Sequence, residues 1–396
     1  MVAFDNICHT LSAKARSRNI SKSMTNAKAF FPDFEIIGVL CYCRQGYASQ
    51  MSDELSRYFA QSAISGYPKF TKSAGFACFY LHQSQSLKTI SKQVQFSELM
   101  FARQLVFLVA HPVHLSGDDR VSEVVSVLPE SEQALQTCVV EVPDTEEGKH
   151  LSKFSRKFAV PLRQAMRDKG VLYRRKFNKP IAGLCWHIFL SQNDKALLGV
   201  SLPHNRSDHE QGIYRLKMPQ DAPSRSTLKL EEAIYTFIPK TDQADLFREG
   251  YRAVDLGACP GGWTYQLVKR GVQVAAIDNG KMQAQLMATG LVEYHAVDGF
   301  KYRPLHGPVQ WLVCDMIEQP QRVTNLMLDW LLDGDARHAI FNLKLPMQNR
   351  YATMTECLNL LREGLKGAGI SFSLQAKHLY HNRDEVTVCI LRDGDL

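Results

Sequence analysis

The second half of the chain alternates short apolar runs with stretches that have helical spacing. The runs at 253–255, 271–278, 311–315, 338–344 and 385–391 predict strands. The stretches between them predict helices, and a further helix is predicted over Thr227–Phe237. Because strands alternate with helices, this half is predicted to form an α/β fold with a doubly wound, mostly parallel sheet.

The first half has a different order of elements. A strand at 36–41, a helix at 52–62 and strands at 75–81 and 105–109 predict a small α+β module. A second module follows, with a helix at 121–128, a strand at 137–142, a basic helix at 151–169 and a strand at 181–190. Residues 199–221 lack periodicity and are rich in Pro, Gly, Asn and Ser, so a connection is predicted there. The expected divisions are 1–34, 35–110, 111–200, 201–221 and 222–396.

A glycine-containing loop, Gly257–Gly262, lies between the first strand of the second half and a helix that opens at Trp263. Glycine lets a ligand approach the backbone closely, and the amides of a helix start favour negative groups. The loop lacks both the G-x-G-x-x-G spacing and a G-K-[ST] ending, and it contains Pro260, so phosphate is the weaker candidate. Asp278 ends the next strand, where an acid binds ribose hydroxyls in nucleotide folds. These features favour S-adenosylmethionine (SAM) over a dinucleotide or a purely structural turn.

The composition is that of an ordinary globular protein. The 396 residues include 45% hydrophobic residues, which suffices for two or three domains with packed cores. The ten cysteines are scattered, without a C-x-x-C pair, which predicts reduced thiols in the cytoplasm rather than disulfides or zinc. No apolar run reaches the roughly 20 residues of a membrane helix, so no membrane partner is expected.

Positive charge is unevenly distributed around a net charge of +7. Between Leu151 and Pro180 a single acid, Asp168, stands against ten basic residues: Lys153, Arg156, Lys157, Arg163, Arg167, Lys169, Arg174, Arg175, Lys176 and Lys179. Such a patch indicates a polyanion, and the aromatic residues interleaved with it would suit stacking on unpaired bases. A solvated helix face with ordinary aromatic packing is the alternative. RNA is the favoured partner.

Residues 1–34 are basic and rich in Ser and Asn, with few acids. This composition is typical of an organelle presequence or of a disordered basic tail. Because Met24 could also begin translation, a wrongly assigned start is an equal alternative.

Charged residues at strand ends suggest chemistry beside the glycine loop. Asp315 and Lys344 end apolar strands, so both are expected to face the ligand cleft beyond the carboxyl ends of the sheet. Lys229, on the helix before the first strand, can join them, whereas Glu385 begins a strand. A lysine amine can orient or accept the proton of a ribose hydroxyl, and Lys344 is the predicted central group. A second ammonium lowers the pKa of such an amine and nearby acids oppose that shift, so the net value stays open.

Four blocks in order resemble a known family: Ala222–Ala233, Asp255–Thr264, Phe341–Met347 and Glu385–Val388. The second half is similar to the FtsJ-like (RrmJ-type) 2′-O-ribose methyltransferases, whose Lys-Asp-Lys-Glu tetrad falls here on Lys229, Asp315, Lys344 and Glu385. The closer resemblance, from about Ile36 to the end, is to the RlmM family of bacterial 23S rRNA cytidine 2′-O-methyltransferases.

The resemblance implies a function and a set of site residues. It implies that the first half is an RNA-binding THUMP region with a ferredoxin-like part, and that 23S rRNA is the partner of a monomeric enzyme. Asp298 would face the adenine. The implied SAM contacts are Ser226, Cys259, Pro260, Gly261, Gly262, Asp278, Asp298 and Asp315.

Other functions are less well supported by the residues. A C5-methylating enzyme would need a cysteine nucleophile, for which Cys314 is the candidate, but the chain contains no Pro-Cys dipeptide. The pairs His378/His381 and His111/His114 lie in predicted loops, and no metal is expected. A non-catalytic RNA-binding assembly factor would show a degraded tetrad, and a nicotinamide-dependent oxidoreductase is opposed by Pro260 and the missing G-x-G.

Overall fold

The structure, a computed structural model, describes residues 33–130, 134–173 and 183–393. Predictions for residues 1–32 lie outside the described residues. So do those for 174–182, which hold four residues of the basic segment.

The first half is built on one mixed sheet. The strands are β1 (Glu35–Tyr42), β2 (Gly66–Phe70), β3 (Phe76–Ser86), β4 (Gln104–Leu108), β5 (Val113–His114), β6 (Thr137–Glu141), β7 (Cys185–Gln192) and β8 (Lys195–Ser201). Their order in the described ranges is β2-β3-β1-β4-β8-β7-β6, with β5 paired to β8, and all pairs except the parallel β6 and β7 are antiparallel. Since β4 pairs with β8, the two predicted modules share this sheet.

Alternation along the central strands fills both faces of this sheet. Val39 and Phe107 pack in the main core on one face, whereas Leu40 and Val106 pack in a smaller cluster on the other. The helices of this half are α1 (Ala48–Gln61), α2 (Leu87–Gln93), α3 (Arg120–Ser126) and α4 (Glu146–Asp168).

The second half is a doubly wound α/β fold, as predicted. The strands are β9 (Arg252–Leu256), β10 (Gln273–Ile277), β11 (Val292–His295), β12 (Val309–Cys314), β13 (Ala336–Lys344), β14 (Phe372–Lys377) and β15 (Glu385–Arg392). The sheet order over the described residues is β11-β10-β9-β12-β13-β15-β14, parallel except for the antiparallel pairs that β15 makes with β13 and β14.

The chain order reverses between the neighbouring strands β9 and β12, which creates the crevice where such folds bind ligands. The helices of this half are α5 (Thr227–Phe237), α6 (Gln243–Leu246), α7 (Gly262–Val268), α8 (Ala284–Met287), α9 (Pro320–Leu332) and α10 (Arg350–Gly367). None of the helices in the described part of the chain is both long and apolar enough to cross a bilayer.

Buried hydrogen bonds lie at the contact between the two halves. The ammonium of Lys377, at the end of β14, donates to the carbonyls of Phe96, Leu99 and Ala102. The carboxylate of Glu54 on α1 accepts from the amides of Met100 and Phe101. Because both side chains are hydrogen-bonded to backbone groups, neither is buried without a polar partner.

Some element boundaries differ from prediction. Helix α4 begins five residues earlier than predicted, because Thr145 caps it by accepting from the amide of Gly148. The predicted connection at 199–221 overlaps the end of β8, and strands β2, β5, β8, β11 and β14 were not predicted, so His114, which was expected in a loop, lies in β5. Helix α5 spans the predicted residues, but Ser226 at its N-cap makes no capping bond, since its hydroxyl contacts that of Ser224.

Candidate active site

Four charged side chains form a closed cluster at the crevice. The ammonium of Lys229 lies 3.1 Å from Asp315 Oδ2 and 2.6 Å from Glu385 Oε1. The ammonium of Lys344 lies 3.0 Å from Asp315 Oδ1 and 2.9 Å from Glu385 Oε2. Each lysine therefore bridges both acids, and charges of opposite sign alternate around the ring.

Strand register places these four residues. Lys344, the last residue of β13, pairs directly with Glu385, the first residue of β15. Because β15 is antiparallel, its beginning lies at the edge where the parallel strands end, which brings Glu385 to the same edge as Asp315. Lys229 reaches the cluster from the first turn of α5, which packs against α7 and β15.

The electrostatics of the cluster favour the charged forms. Burial opposes the charge of Glu385, but Lys229 and Lys344 outweigh it and lower the pKa of this acid to about 2. Burial also favours a neutral Lys344, yet Asp315 and Glu385 raise the pKa of its amine above the usual value. The sequence left open whether the pKa of the Lys344 amine is lowered or raised. The two acids raise it, so Lys344 is an ammonium in this state.

A cavity of ≈ 630 Å³ opens beside the glycine loop. Four of the predicted cofactor residues line it: Cys259, Asp278, Asp298 and Asp315. Its other charged lining residues are Glu318 and Arg322, so acids outnumber bases. An acidic lining repels phosphate and suits a ligand with positive charge.

The glycine loop is fixed by its neighbours. Gly261 has φ +114°, a left-handed conformation that glycine adopts without strain. A Cβ on Gly262 would come within 2.0 Å of Ser226 Oγ, so α5 packs directly on the loop. Asp278 accepts from the amides of Cys259 (2.9 Å) and Gly280 (2.8 Å). Pro260, Gly261 and Gly262 belong to the same loop but do not line the cavity, and Ser226 lines the neighbouring cleft.

A larger cleft of ≈ 1190 Å³ lies between the two halves. Lys229, Lys344 and Glu385 line it on one side, and Ile317 lines both this cleft and the smaller cavity. The cluster therefore stands where the two spaces meet. The basic residues of the cleft are Arg44, Arg103, Lys149, Arg225, Lys229, Lys344 and Arg383, and its acids are Asp144, Glu146 and Glu385.

Two residues considered for other chemistry, Cys314 and His378, line neither of these spaces, whereas His381 lines the larger cleft. Cys314 is buried, and burial raises the pKa of its thiol to about 12, which opposes a role as nucleophile. The ring of His378 is buried and bonds to the carbonyl of Arg383. Among the described residues no group of three or more His, Cys, Asp and Glu side chains could hold a metal ion.

Sequence reasoning missed several polar groups around the cluster. Asn342 and Thr387 are fully buried on β13 and β15, and Asn342 donates to Asp315 Oδ1 at 2.8 Å. A polar residue inside an apolar strand, two positions before Lys344 and so on the same face, is the signal that could have identified Asn342. Arg44, which lies far away in sequence, gave no such signal.

The chain matches three family descriptions. Residues 36–106 match the RlmM ferredoxin-like domain, residues 119–202 match ribosomal RNA large subunit methyltransferase M, N-terminal, and residues 222–342 match the FtsJ-like methyltransferase. These matches span both halves of the chain.

Similar proteins include relatives named ribosomal RNA large subunit methyltransferase M. The one from Alteromonas mediterranea is 48% identical over 358 residues, which cover 89% of this chain and 97% of the relative. The one from Histophilus somni is 45% identical over 355 residues, which cover 88% and 98%. Among solved structures, TrmN from Thermus thermophilus matches with 14% identity and a TM-score of 0.34, over 90% of this chain and all of that one.

Proposed function

The chain belongs to the ribosomal RNA large subunit methyltransferase M family, and from that premise we propose that it methylates the ribose 2′-hydroxyl of a cytidine in 23S rRNA with SAM. One observation carries the proposal. The cluster of Lys229, Asp315, Lys344 and Glu385 stands where an acidic cavity meets a basic cleft. A reaction between a cationic donor and a polyanionic acceptor needs that arrangement.

The residues of the smaller cavity fit SAM. Asp278 follows β10, where an acid binds ribose hydroxyls, and Asp298 lines the same cavity. When bound, SAM supplies a methyl group already activated by a sulfonium. Cys259, Pro260, Gly261, Gly262 and Ser226 would hold it from the loop side.

The cleft fits an RNA strand. Seven basic residues line it against three acids, and charges of this sign attract the phosphate backbone. Arg103 is buried at the cleft, held by Asp144 at 3.3 Å, and its Nε and Nη2 bond to no group in the described ranges. Unpaired buried donors favour a ligand with acceptor oxygens or nitrogens.

Lys344 would manage the proton of the ribose hydroxyl. Its ammonium must lose a proton before it can accept one, and Asp315 and Glu385 oppose that loss. A cation in the cavity on the Asp315 side lowers the pKa of the amine by like-charge repulsion. We therefore expect Lys344 to act as a base only when the cofactor cavity is filled, while Asp315 and Glu385 hold it in place and Lys229 bridges the same two acids.

The first half would bind and orient the rRNA. We propose a ferredoxin-like part over residues 35–110, a THUMP-type part over 111–200, a connection over 201–221 and the catalytic part over 222–396. Helix α4 carries part of the basic segment and its first turn lines the cleft through Glu146 and Lys149, which supports a continuous RNA path. We further propose that the enzyme acts in the cytoplasm as a monomer.

Methyl transfer from labelled SAM to unmodified 23S rRNA tests this function. A methylated ribose leaves an alkali-resistant linkage at the modified nucleotide, because the 2′-oxygen can no longer attack the phosphate. Mass spectrometry of rRNA from cells lacking the protein should then show one unmethylated cytidine.

Two results would contradict the proposal. Label in the base would refute the ribose acceptor. Binding of SAM and rRNA without transfer to naked rRNA or to precursor particles would favour the non-catalytic assembly factor.

A further inference from the structure

A buried chain of hydrogen bonds leads away from the active cluster. Asn342 Nδ2 donates to Asp315 Oδ1 at 2.8 Å, and Asn342 Oδ1 lies 2.7 Å from the hydroxyl of Thr387. That hydroxyl also lies 2.9 Å from Asn382 Nδ2. All three members are at most 1% exposed, so water cannot replace a lost bond.

The negative charge of Asp315 fixes the direction of every bond in this chain. An ionised carboxylate only accepts, so Asn342 must present its N–H to Asp315 and its Oδ1 to Thr387. The hydroxyl of Thr387 must then donate its single hydrogen to Asn342 and accept from Asn382. A reversed amide at Asn342 would turn its carbonyl oxygen toward the Asp315 carboxylate and lose that bond.

The register of β13 and β15 places this chain of hydrogen bonds beside Lys344 and Glu385. Asn342 pairs with Thr387 two residues along the strands from the pair of Lys344 and Glu385. The side chains of both pairs therefore lie on the same face of the sheet. Asp315 Oδ1 therefore receives the Asn342 amide and the Lys344 ammonium together. The orientation of the carboxylate depends on both.

We propose that Thr387 and Asn342 are positioning residues, which hold the Asp315 carboxylate so that it can in turn hold the amine of Lys344. Their effect on methyl transfer rests on the function proposed above, whereas their effect on Lys344 itself rests on geometry alone. This chain of hydrogen bonds begins in the first half of the protein, because Arg44 donates to the carbonyl of Asn382 at 2.7 Å. Contacts between the halves thus reach Asp315 through Asn382, Thr387 and Asn342.

Thr387→Val tests the proposal, because it keeps the shape of the side chain and removes the hydroxyl. Loss of one hydrogen bond to a charged network should lower kcat about tenfold, which corresponds to ~1.4 kcal/mol of barrier. The Kd for SAM and the KM for rRNA should stay unchanged, because Thr387 lines neither space. Thr387→Ser, which retains the hydroxyl, should restore kcat.

Thr324→Val is the matched control. Thr324 is also fully buried and its hydroxyl donates to the carbonyl of Pro320 at 2.7 Å, within α9. This variant loses a buried hydroxyl without touching the cluster and should keep its kcat. Wild-type kcat in Thr387→Val, or equal losses in Thr387→Val and Thr324→Val, would overturn the positioning role.

Competitive labelling of lysine amines gives a readout that does not need the reaction. Without the Asn342 N–H fixed toward it, the Asp315 carboxylate should lose its alignment with the Lys344 ammonium, and the pKa of Lys344 should fall in Thr387→Val but not in Thr324→Val. An unchanged or raised Lys344 pKa would overturn the positioning role even if methyl transfer to ribose is confirmed. A downward shift would support it even if the acceptor proves to be a different group.

Discussion

Two polar clusters in this protein use similar groups for opposite purposes. In the first half, Glu141 accepts from the hydroxyl of Tyr42 at 2.7 Å and lies 3.1 Å from His187 Nδ1, while His187 Nε2 lies 2.7 Å from the hydroxyl of Ser201. Acid, imidazole and hydroxyl follow each other in the order of a hydrolase triad. In the second half, Lys229, Asp315, Lys344 and Glu385 form the alternating ring.

Access separates the two clusters. Tyr42, Glu141, His187 and Ser201 are at most 4% exposed, so no substrate can reach the Ser201 hydroxyl. Lys344 is 21% exposed and lines the cleft between the halves. The comparison teaches that hydrogen-bond geometry alone does not define an active site. The inner cluster, Tyr42, Glu141, His187 and Ser201, satisfies the hydrogen bonds of its own buried polar groups. The outer cluster, Lys229, Asp315, Lys344 and Glu385, lines two cavities.

The largest expected effect comes from removing the amine of the outer cluster. Lys344→Ala should lower turnover by about 10²-fold or more, the usual range for loss of a proton-transfer group, and should leave SAM binding intact. Lys344→Arg keeps the charge but cannot give up its proton, so it should also be inactive. Single-turnover assays and SAM titration measure both, with Lys366→Ala, at an exposed site, as control. Normal turnover in Lys344→Ala would remove the amine from catalysis.

The inner cluster should respond in stability instead of activity. His187→Gln leaves Glu141 buried with one partner fewer and should cost about 3 kcal/mol of unfolding free energy. The Kd for SAM at a temperature where the variant is folded should not change. Urea unfolding followed by tryptophan fluorescence measures the loss, with the exposed His114→Gln as control. A loss of methyl transfer in folded His187→Gln would break the distinction between the clusters.

The pH dependence of stability should come from the inner cluster as well. Burial favours a neutral ring, but the contacts with Cys185 and Glu141 outweigh it and raise the pKa of His187 to about 9. A raised pKa stabilises the fold fully below the unfolded value of about 6.5 and ceases to do so as pH rises through about 9. Wild-type protein should therefore lose about 1–3 kcal/mol between pH 6.5 and 9.5 beyond the change seen in His187→Gln. Equal shifts of the urea midpoint with pH in the wild-type protein and in His187→Gln would contradict this prediction.

The smallest effect is expected at the cofactor cavity beside the outer cluster. Asp278→Ala removes the acceptor for the amides of Cys259 and Gly280 and should raise the Kd for SAM about tenfold. Calorimetric titration with SAM measures it, and Glu293→Gln on the exposed side of β11 is the control. Unchanged affinity would show that the loop keeps its shape without this carboxylate.

Local pattern predicted much of the second half. The apolar run before Gly257, the glycine loop and the helix after it were predicted in place, and helix α5 has the predicted bounds. The edge strands β2 and β14 were missed because strands at a sheet edge are partly polar and lack a continuous apolar run. The start of α4 was missed because a capping threonine, not a hydrophobic period, sets it.

Local order along the chain also indicated which charged residues belong near the glycine loop. Asp315 and Lys344 were expected at one edge because parallel strands end together. Glu385 could not be located in this way, since nothing in its neighbourhood reveals that β15 runs antiparallel to β13.

The sequence by itself determined the alternating elements, the glycine loop and the types of charged group, because these follow from short-range periodicity and backbone preference. Only the tertiary structure decided that β15 is antiparallel, that Arg44 and Asn382 meet, and that His187 is sealed while Lys344 opens to a cleft. Those facts depend on contacts between residues far apart in the chain. The burial of His187 and Lys344, and with it the pKa values of their side chains, depends on the packing of the whole protein.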